Sequence, residues 1–217
     1  MKIEIANPIY NVVFNYMMED NEVAKILISS IIGEEIISLD HKPQEYTVDK
    51  LSTEGSTLPV YRLEFSAKIK TPDGHQPVNI EIQKASVPND ILRFRNRHDR
   101  SRTVYTIYFL DDALGASPTP VLKISSQLID LKTQEVIEDK SGFIESMYPP
   151  VWIVGFSCIQ KPPRNELELL LSVFDQNNRT SDHHILNVLE EDFPEKYLPL
   201  IGRLKQAAVT PEVKEKM

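Results

Sequence analysis

The sequence predicts a mixed α/β protein with a central β-sheet flanked by helices. Three patterns predict this class: helical periodicity near the N-terminus, a hairpin of alternating strands at residues 61–84, and a helical pattern from Asp90 to about Leu114. With 217 residues, the chain is long enough to bury its own core. We predict one domain at residues 1–163 and a helical C-terminal extension at 164–217 that packs on the domain or follows it.

The N-terminal region predicts two helices. Asn7 and Pro8 suit the N-cap and first position of a helix that extends to about Met18. A second helix is expected from Glu22 to Ile32 and ends at Gly33, because glycine commonly terminates helices.

The other elements outside the hairpin follow from the same kinds of pattern. We expect short strands at residues 36–39 and 44–48, further strands at 121–131 and 151–158, a helix from Asn165 to Phe174, and a helical, acidic region from Asp182 onward.

Residues 61–84 predict a β-hairpin with one apolar and one polar face, because apolar and polar residues alternate on both sides of a turn. Pro72 and Asp73 have turn chemistry. A two-residue turn there places Glu64 directly opposite Glu81 and Arg62 opposite Gln83. Like charges that face each other are destabilising unless something positive lies between them, and a bulge at Pro77 would shift the register.

The charge distribution bears on the class of partner. The net charge of −8 argues against general nucleic-acid binding. Arginines are nevertheless concentrated just after the hairpin, at Arg93, Arg95, Arg97, Arg100 and Arg102. Such a patch on an acidic protein is compatible with steering a phosphate backbone into one cleft.

Cysteine usage and the N-terminus indicate a compartment. The single cysteine, Cys158, excludes an intramolecular disulfide. The first residues lack the pattern of a signal peptide, and no apolar run is long enough to span a bilayer. We therefore expect a cytoplasmic protein without a membrane partner. The sequence leaves open whether it forms a homodimer.

The chain resembles a known family in several segments. The strings LEFSAKIKTPDG, IEIQKAS and NDILRFRNRH are similar to segments of the PD-(D/E)XK nuclease family transposase, or recombination-promoting nuclease, group. NPIYNVVFNYMMED and LLLSVFDQNNRT also resemble family segments, so the resemblance covers nearly the whole chain. It implies a PD-(D/E)XK, restriction-endonuclease-like core with a helical C-terminal appendage.

Residue by residue, the resemblance gives two matches and three departures. Glu81 matches the acidic residue of the (D/E)XK pattern, and Gln83 matches the glutamine that this family has in place of lysine. Glu64 stands where the family has aspartate, Asn11 where it often has an acidic residue, and Asn15 where it often has lysine. Glutamate in place of aspartate keeps the charge but lengthens the arm that would hold a metal.

The implied activity is metal-dependent hydrolysis of DNA, attenuated by these departures. Mg²⁺ or Mn²⁺ would be held by Glu64, Glu81 and the backbone carbonyl of Ile82, with Asn11 as a further ligand, since hard cations prefer oxygen. Gln83 would orient the attacking water. The DNA-binding residues would be Arg93, Arg95, Arg97 and Lys84, because cationic side chains grip phosphate oxygens.

Other interpretations of the same residues stay open. The hairpin can be an exposed amphipathic element with solvated glutamates, and the arginines a solvated helix face. The departures at Asn11, Asn15 and Glu64 favour a catalytically inactive relative that serves as a DNA-binding or protein-interaction module of a mobile element or defence locus.

Overall fold

The computed structural model describes residues 1–42, 61–85, 103–111, 119–137, 149–159 and 162–217. Its strands are β1 (Lys2–Ala6), β2 (Ile36–Lys42), β3 (Tyr61–Thr71), β4 (Gly74–Ala85), β5 (Val104–Leu110), β6 (Val121–Ile124), β7 (Leu128–Ile129), β8 (Val136–Ile137), β9 (Val151–Gly155) and β10 (Ile185–Leu189). Its α-helices are α1 (Asn11–Met18), α2 (Asn21–Ile32), α3 (Glu166–Leu171), α4 (Leu198–Val209) and α5 (Pro211–Lys214).

Among the described residues, a mixed sheet of six strands forms the centre of the protein, in the order β2-β3-β4-β5-β9-β6. β2, β3 and β4 are antiparallel neighbours, β4, β5 and β9 run parallel, and β6 pairs antiparallel with β9 at the outer edge. β4 and β5 therefore have neighbours on both sides.

The main core lies between one face of this sheet and the helices. Phe14 of α1 packs edge-on against Phe109 of β5, with ring centroids 5.2 Å apart. Leu200 and Leu204 of α4 are fully buried in the same core. The mixed α/β class with helices flanking a central sheet is thereby confirmed. Among the described residues, no helix is both long and apolar enough to cross a membrane.

The predicted helix from Asp90 to about Leu114 is wrong over its second half. Residues 104–110 form β5, and residues 90–102 lie outside the described part of the chain. Tyr105 and Tyr108 of this strand point to opposite faces of the sheet, because side chains alternate along a strand. The run VYTIYFL suits a strand covered on both faces, as parallel strands usually are.

The start of α1 differs from the prediction. Tyr10 is the N-cap and the helix begins at Asn11. Asn7 is instead fully buried, and its amide exchanges hydrogen bonds with the Gln176 side chain at 2.9 and 3.1 Å. The side chain that was expected to cap the helix therefore forms a tertiary contact instead. Gly33 ends α2 in the left-handed region at φ 74°, as predicted.

The region from Asp182 is not uniformly helical, which corrects that prediction. Residues 185–189 form β10, which pairs antiparallel with β1. The strands expected at residues 121–131 and 151–158 are shorter than predicted, since β6 ends at Ile124 and β9 at Gly155. The helix expected from Asn165 is present as α3, with Asn165 as its N-cap. The strand expected at residues 44–48 lies outside the described residues.

Candidate functional site

The hairpin of β3 and β4 has the register that the sequence predicts. Glu64 faces Glu81 and Arg62 faces Gln83, and Thr71 pairs with Gly74 across the two-residue turn. Pro77 pairs with Lys68 without any shift of register. The two glutamates therefore occupy directly opposite positions on one face of the sheet.

The polar face of β4 is buried at its C-terminal end. Glu81 and Gln83 are each only 3% exposed, whereas the Glu64 side chain is 34% exposed. The interpretation of both glutamates as solvated residues on an exposed hairpin is wrong for Glu81. β4 is an interior strand of the sheet, with β3 and β5 as its neighbours. Burying a charge in such a position requires a partner of opposite charge.

Arg62 supplies that partner to both glutamates. Its Nε atom lies 2.7 Å from Glu81 Oε1, and its Nη2 atom lies 2.7 Å from Glu64 Oε1. The Nε contact is an ion pair rather than an aligned hydrogen bond. One guanidinium therefore bridges the two carboxylates, which explains how like charges can occupy opposite positions.

Gln83 completes the group and carries an unused acceptor. Its Nε2 donates a hydrogen bond to Glu81 Oε1 at 2.6 Å. Its Oε1 is buried and has no hydrogen-bond partner in the part of the chain that the structure describes. Unsatisfied buried acceptors are uncommon and costly, so this oxygen is available to a ligand or water. We call Arg62, Glu64, Glu81 and Gln83 the carboxylate cluster.

The donor set of this cluster fits a hard divalent cation. Two carboxylates already share one cation, and the amide oxygen of Gln83 lies on the same face of the sheet. The cluster holds two acidic residues, and across the described ranges no group of three or more histidine, cysteine, aspartate and glutamate residues is placed to hold a metal. Ile82, whose backbone carbonyl we expected to bind the metal, lies on the interior strand β4. It pairs there with Leu63 of β3 and Ile107 of β5.

Asn11 and Asn15 lie on the other side of the sheet, which corrects the expectation that Asn11 joins the metal site. Asn11 Oδ1 accepts a hydrogen bond from Lys84 Nζ at 2.9 Å. Asn15 Oδ1 accepts one from the Tyr61 hydroxyl at 2.5 Å. Tyr61 and Lys84 are register partners whose side chains point to the helix-covered face, opposite to that of the carboxylate cluster.

Lys84 is a buried cation rather than an exposed one. It is 7% exposed, and its ammonium also donates to the backbone carbonyl of Ile9. Burial lowers the pKa of Lys84 to about 8, while the nearby negative charge of Asp111 opposes that decrease. The expected contact of Lys84 with DNA therefore does not match its position, because its ammonium is held by α1 and the residues preceding it.

The sequence interpretation missed the part that Arg62 plays. The signal was present, since Arg62 precedes Glu64 by two positions and the two therefore share a face of one strand. The other expected DNA-binding residues, Arg93, Arg95 and Arg97, lie outside the described part of the chain. The buried side chain of Thr106, level with Glu81 on β5, was also not singled out.

Comparison of the chain with protein-family models, with curated proteins and with solved structures gives no match.

Proposed function

We propose that this chain is a metal-dependent DNA endonuclease with a PD-(D/E)XK-type core, and that it hydrolyses phosphodiester bonds at the carboxylate cluster. The observation that carries the proposal is the sharing of one cation by Glu64 and Glu81 across two paired strands. A buried carboxylate is costly, and its retention beside a second carboxylate is typical of sites that bind cations.

Three residues of the cluster have roles in the proposed reaction. Glu64 and Glu81 would hold Mg²⁺ or Mn²⁺, and the free Oε1 of Gln83 would orient either the ion or the attacking water. The bound ion would activate water and neutralise the charge that develops on the phosphate. Because Gln83 is neutral, it cannot lower the pKa of that water as a lysine ammonium would, so we expect a slow enzyme.

The sheet supports the assignment of fold. Helices α1 and α2 are followed by β2, by the hairpin of β3 and β4, and by a parallel strand β5. The segments that resemble PD-(D/E)XK nucleases include α1 and this acidic hairpin. In the proposal, Arg93, Arg95 and Arg97 contact the phosphate backbone of the DNA.

A second candidate function is an inactive relative that binds DNA or a protein. Two observations favour it. Arg62 already neutralises both carboxylates, and Asn11 contacts Lys84 instead of joining the cluster. This candidate predicts no binding of Mn²⁺ in calorimetry, whereas the endonuclease proposal predicts binding that is lost in Glu64→Ala.

Nicking of supercoiled plasmid in Mg²⁺ or Mn²⁺ tests the proposal. The wild type should nick the plasmid and should stop when EDTA is added, and Glu81→Gln should be inactive because a neutral amide holds the metal poorly. Lys68→Gln is the matched control, since Lys68 is exposed on the same face of β3. Thermal melting of each variant shows whether it is folded. Equal nicking by wild type and Glu81→Gln, or none by either, would contradict the proposal.

A further inference from the structure

We propose that Arg62 is a built-in counter-cation: its guanidinium occupies the position of a divalent metal between Glu64 and Glu81, and metal binding requires it to leave. This inference rests on the proposed function, because it assigns to Arg62 the regulation of the same site.

The contacts of Arg62 support a competition between cations. Its Nε and Nη2 atoms each lie 2.7 Å from a carboxylate oxygen, one on Glu81 and one on Glu64. A metal bound by these two residues would need the same Oε1 atoms or their immediate surroundings. Two positive charges cannot share that space without strong repulsion, so the guanidinium and the metal exclude each other.

The position of Arg62 permits it to leave. Its side chain is 32% exposed, whereas Glu81 beneath it is 3% exposed. Arg62 therefore lies between the buried carboxylate and solvent, and it can swing outward without unfolding the hairpin. Lys68, on the same face of β3, is exposed and cannot substitute for it, because it pairs with Pro77 near the turn.

Phosphate oxygens can bind the guanidinium of Arg62 once a metal has displaced it. Arginine binds phosphate oxygens through two parallel hydrogen bonds, as it binds carboxylates. Once a metal holds Glu64 and Glu81, a phosphodiester at the cluster would offer Arg62 a replacement for both lost ion pairs. Metal and phosphodiester would then bind cooperatively, since each stabilises the same outward position of Arg62.

Calorimetric titration with Mn²⁺ tests the competition directly. We expect Arg62→Gln to bind Mn²⁺ at least about tenfold more tightly than the wild type, because the Arg62 guanidinium no longer has to be displaced. The Mn²⁺ affinity of Arg62→Lys should lie between those of the wild type and Arg62→Gln, since a single ammonium cannot contact both carboxylates in the same way. Lys68→Gln should match the wild type. The double variant Arg62→Gln, Glu81→Gln should lose this increase in Mn²⁺ affinity.

An Arg62→Gln protein that binds Mn²⁺ no more tightly than the wild type would overturn the inference, including the case in which neither protein binds. This outcome is separate from failure of the proposed function. Tighter binding by Arg62→Gln in proteins that nick no DNA would support the inference and contradict the endonuclease. Nicking that depends on Glu81, together with an Mn²⁺ affinity that Arg62→Gln leaves unchanged, would support the endonuclease and contradict the inference.

A second measurement uses the wild type and does not depend on the folding of a variant. In protein labelled with ¹⁵N-arginine, the Nε–H signal of Arg62, assigned with Arg62→Lys, should shift and exchange faster with water as Mg²⁺ is added. Adding a short DNA duplex with Mg²⁺ should shift it again, to a position that reports phosphate contact. A signal that does not change up to the highest Mg²⁺ concentration would overturn the inference.

Discussion

Glu64 and Glu81 lie directly opposite each other on the paired strands β3 and β4, and one guanidinium, that of Arg62, contacts both. Side chains in such positions have Cβ atoms about 4.5–5.5 Å apart. Like charges in directly opposite positions repel each other, and the carboxylate of Glu81 is buried. The pair therefore depends on a cation.

The stability of the hairpin should depend on Arg62. We expect Arg62→Met to lower the free energy of unfolding by about 2–3 kcal/mol, towards the lower end of the cost of breaking a buried ion pair, because a third of Arg62 is exposed. Lys68→Met should change it by less than about 0.5 kcal/mol. Urea unfolding at neutral pH measures both.

A double-mutant cycle separates the pair from other effects of the substitution. Arg62→Met combined with Glu81→Leu should cost less than the sum of the single changes, because each single change already removes the ion pair between these two residues. Additive costs, or equal effects of Arg62→Met and Lys68→Met, would show that the ion pair contributes nothing.

The burial of Lys84 should make the free energy of unfolding depend on pH in the alkaline range. Its pKa is lowered from 10.5 to about 8 in the folded protein. Between these values the folded protein has released a proton that the unfolded chain retains, so the free energy of unfolding should increase with pH across this window. The increase should be on the order of 3 kcal/mol at most.

The comparison with Lys84→Met isolates this effect from other titrating groups. The stability of the wild type relative to Lys84→Met should rise from pH 8 to pH 10.5. Urea unfolding of both proteins at intervals across this range measures it. Parallel stability curves would contradict the burial of a charged lysine on the helix-covered face.

Two glycines offer a matched test of the fold. Gly33 ends α2 with a positive φ of 74°, and an added Cβ meets no atom within 4 Å. Gly33→Ala should therefore cost about 1 kcal/mol through backbone strain alone. Gly202 lies within α4 and also has open space around it, so Gly202→Ala should stabilise the protein by about 0.5–1 kcal/mol. Thermal melting should show shifts of opposite sign, and shifts of the same sign would contradict one of the two helix assignments.

Gln83 should matter for catalysis more than for folding. Gln83→Leu removes the buried oxygen that has no hydrogen-bond partner among the described residues, but also the hydrogen bond that Nε2 donates to Glu81, so stability should fall by about 1–2 kcal/mol while single-turnover nicking falls by about a hundredfold. Ser66→Ala, on the same face of β3, is the control for a change of polarity in the hairpin. An unchanged nicking rate in Gln83→Leu would remove Gln83 from the site.

The hairpin was predictable because its signals are local. Turn chemistry at Pro72 and Asp73 and strict alternation on both sides determine the register, and with it the position of Glu64 opposite Glu81. Gly33 was predictable for the same reason, since only a residue that tolerates positive φ suits that helix end.

The errors occur where distant contacts decide the structure. Residues 104–110 have apolar residues at several spacings, and pairing with β4 and β9 on both sides makes them a strand. β10 exists because it pairs with β1, at the other end of the chain. Asn7 leaves the helix cap for a contact with Gln176. None of these contacts can be read from a local pattern.

The candidate site was predictable in its carboxylates and not in its counter-charge. Family resemblance selected Glu64, Glu81 and Gln83, and the structure places these three on one face. The resemblance also suggested Asn11 as a metal ligand, but its side chain accepts a hydrogen bond from Lys84. Arg62 was recognised only as the register partner of Gln83, because the burial of Glu81, which makes a cation necessary, depends on the strands around it.

The rate of Mg²⁺-dependent plasmid nicking by wild type and Glu81→Gln, purified in parallel so that any contaminating nuclease is common to both, shows whether the carboxylate cluster hydrolyses DNA. We expect nicking by the wild type that rises with Mg²⁺, and none by a folded Glu81→Gln protein. Nicking at equal rates, or a folded wild type that nicks no DNA at any Mg²⁺ or Mn²⁺ concentration, would contradict this expectation.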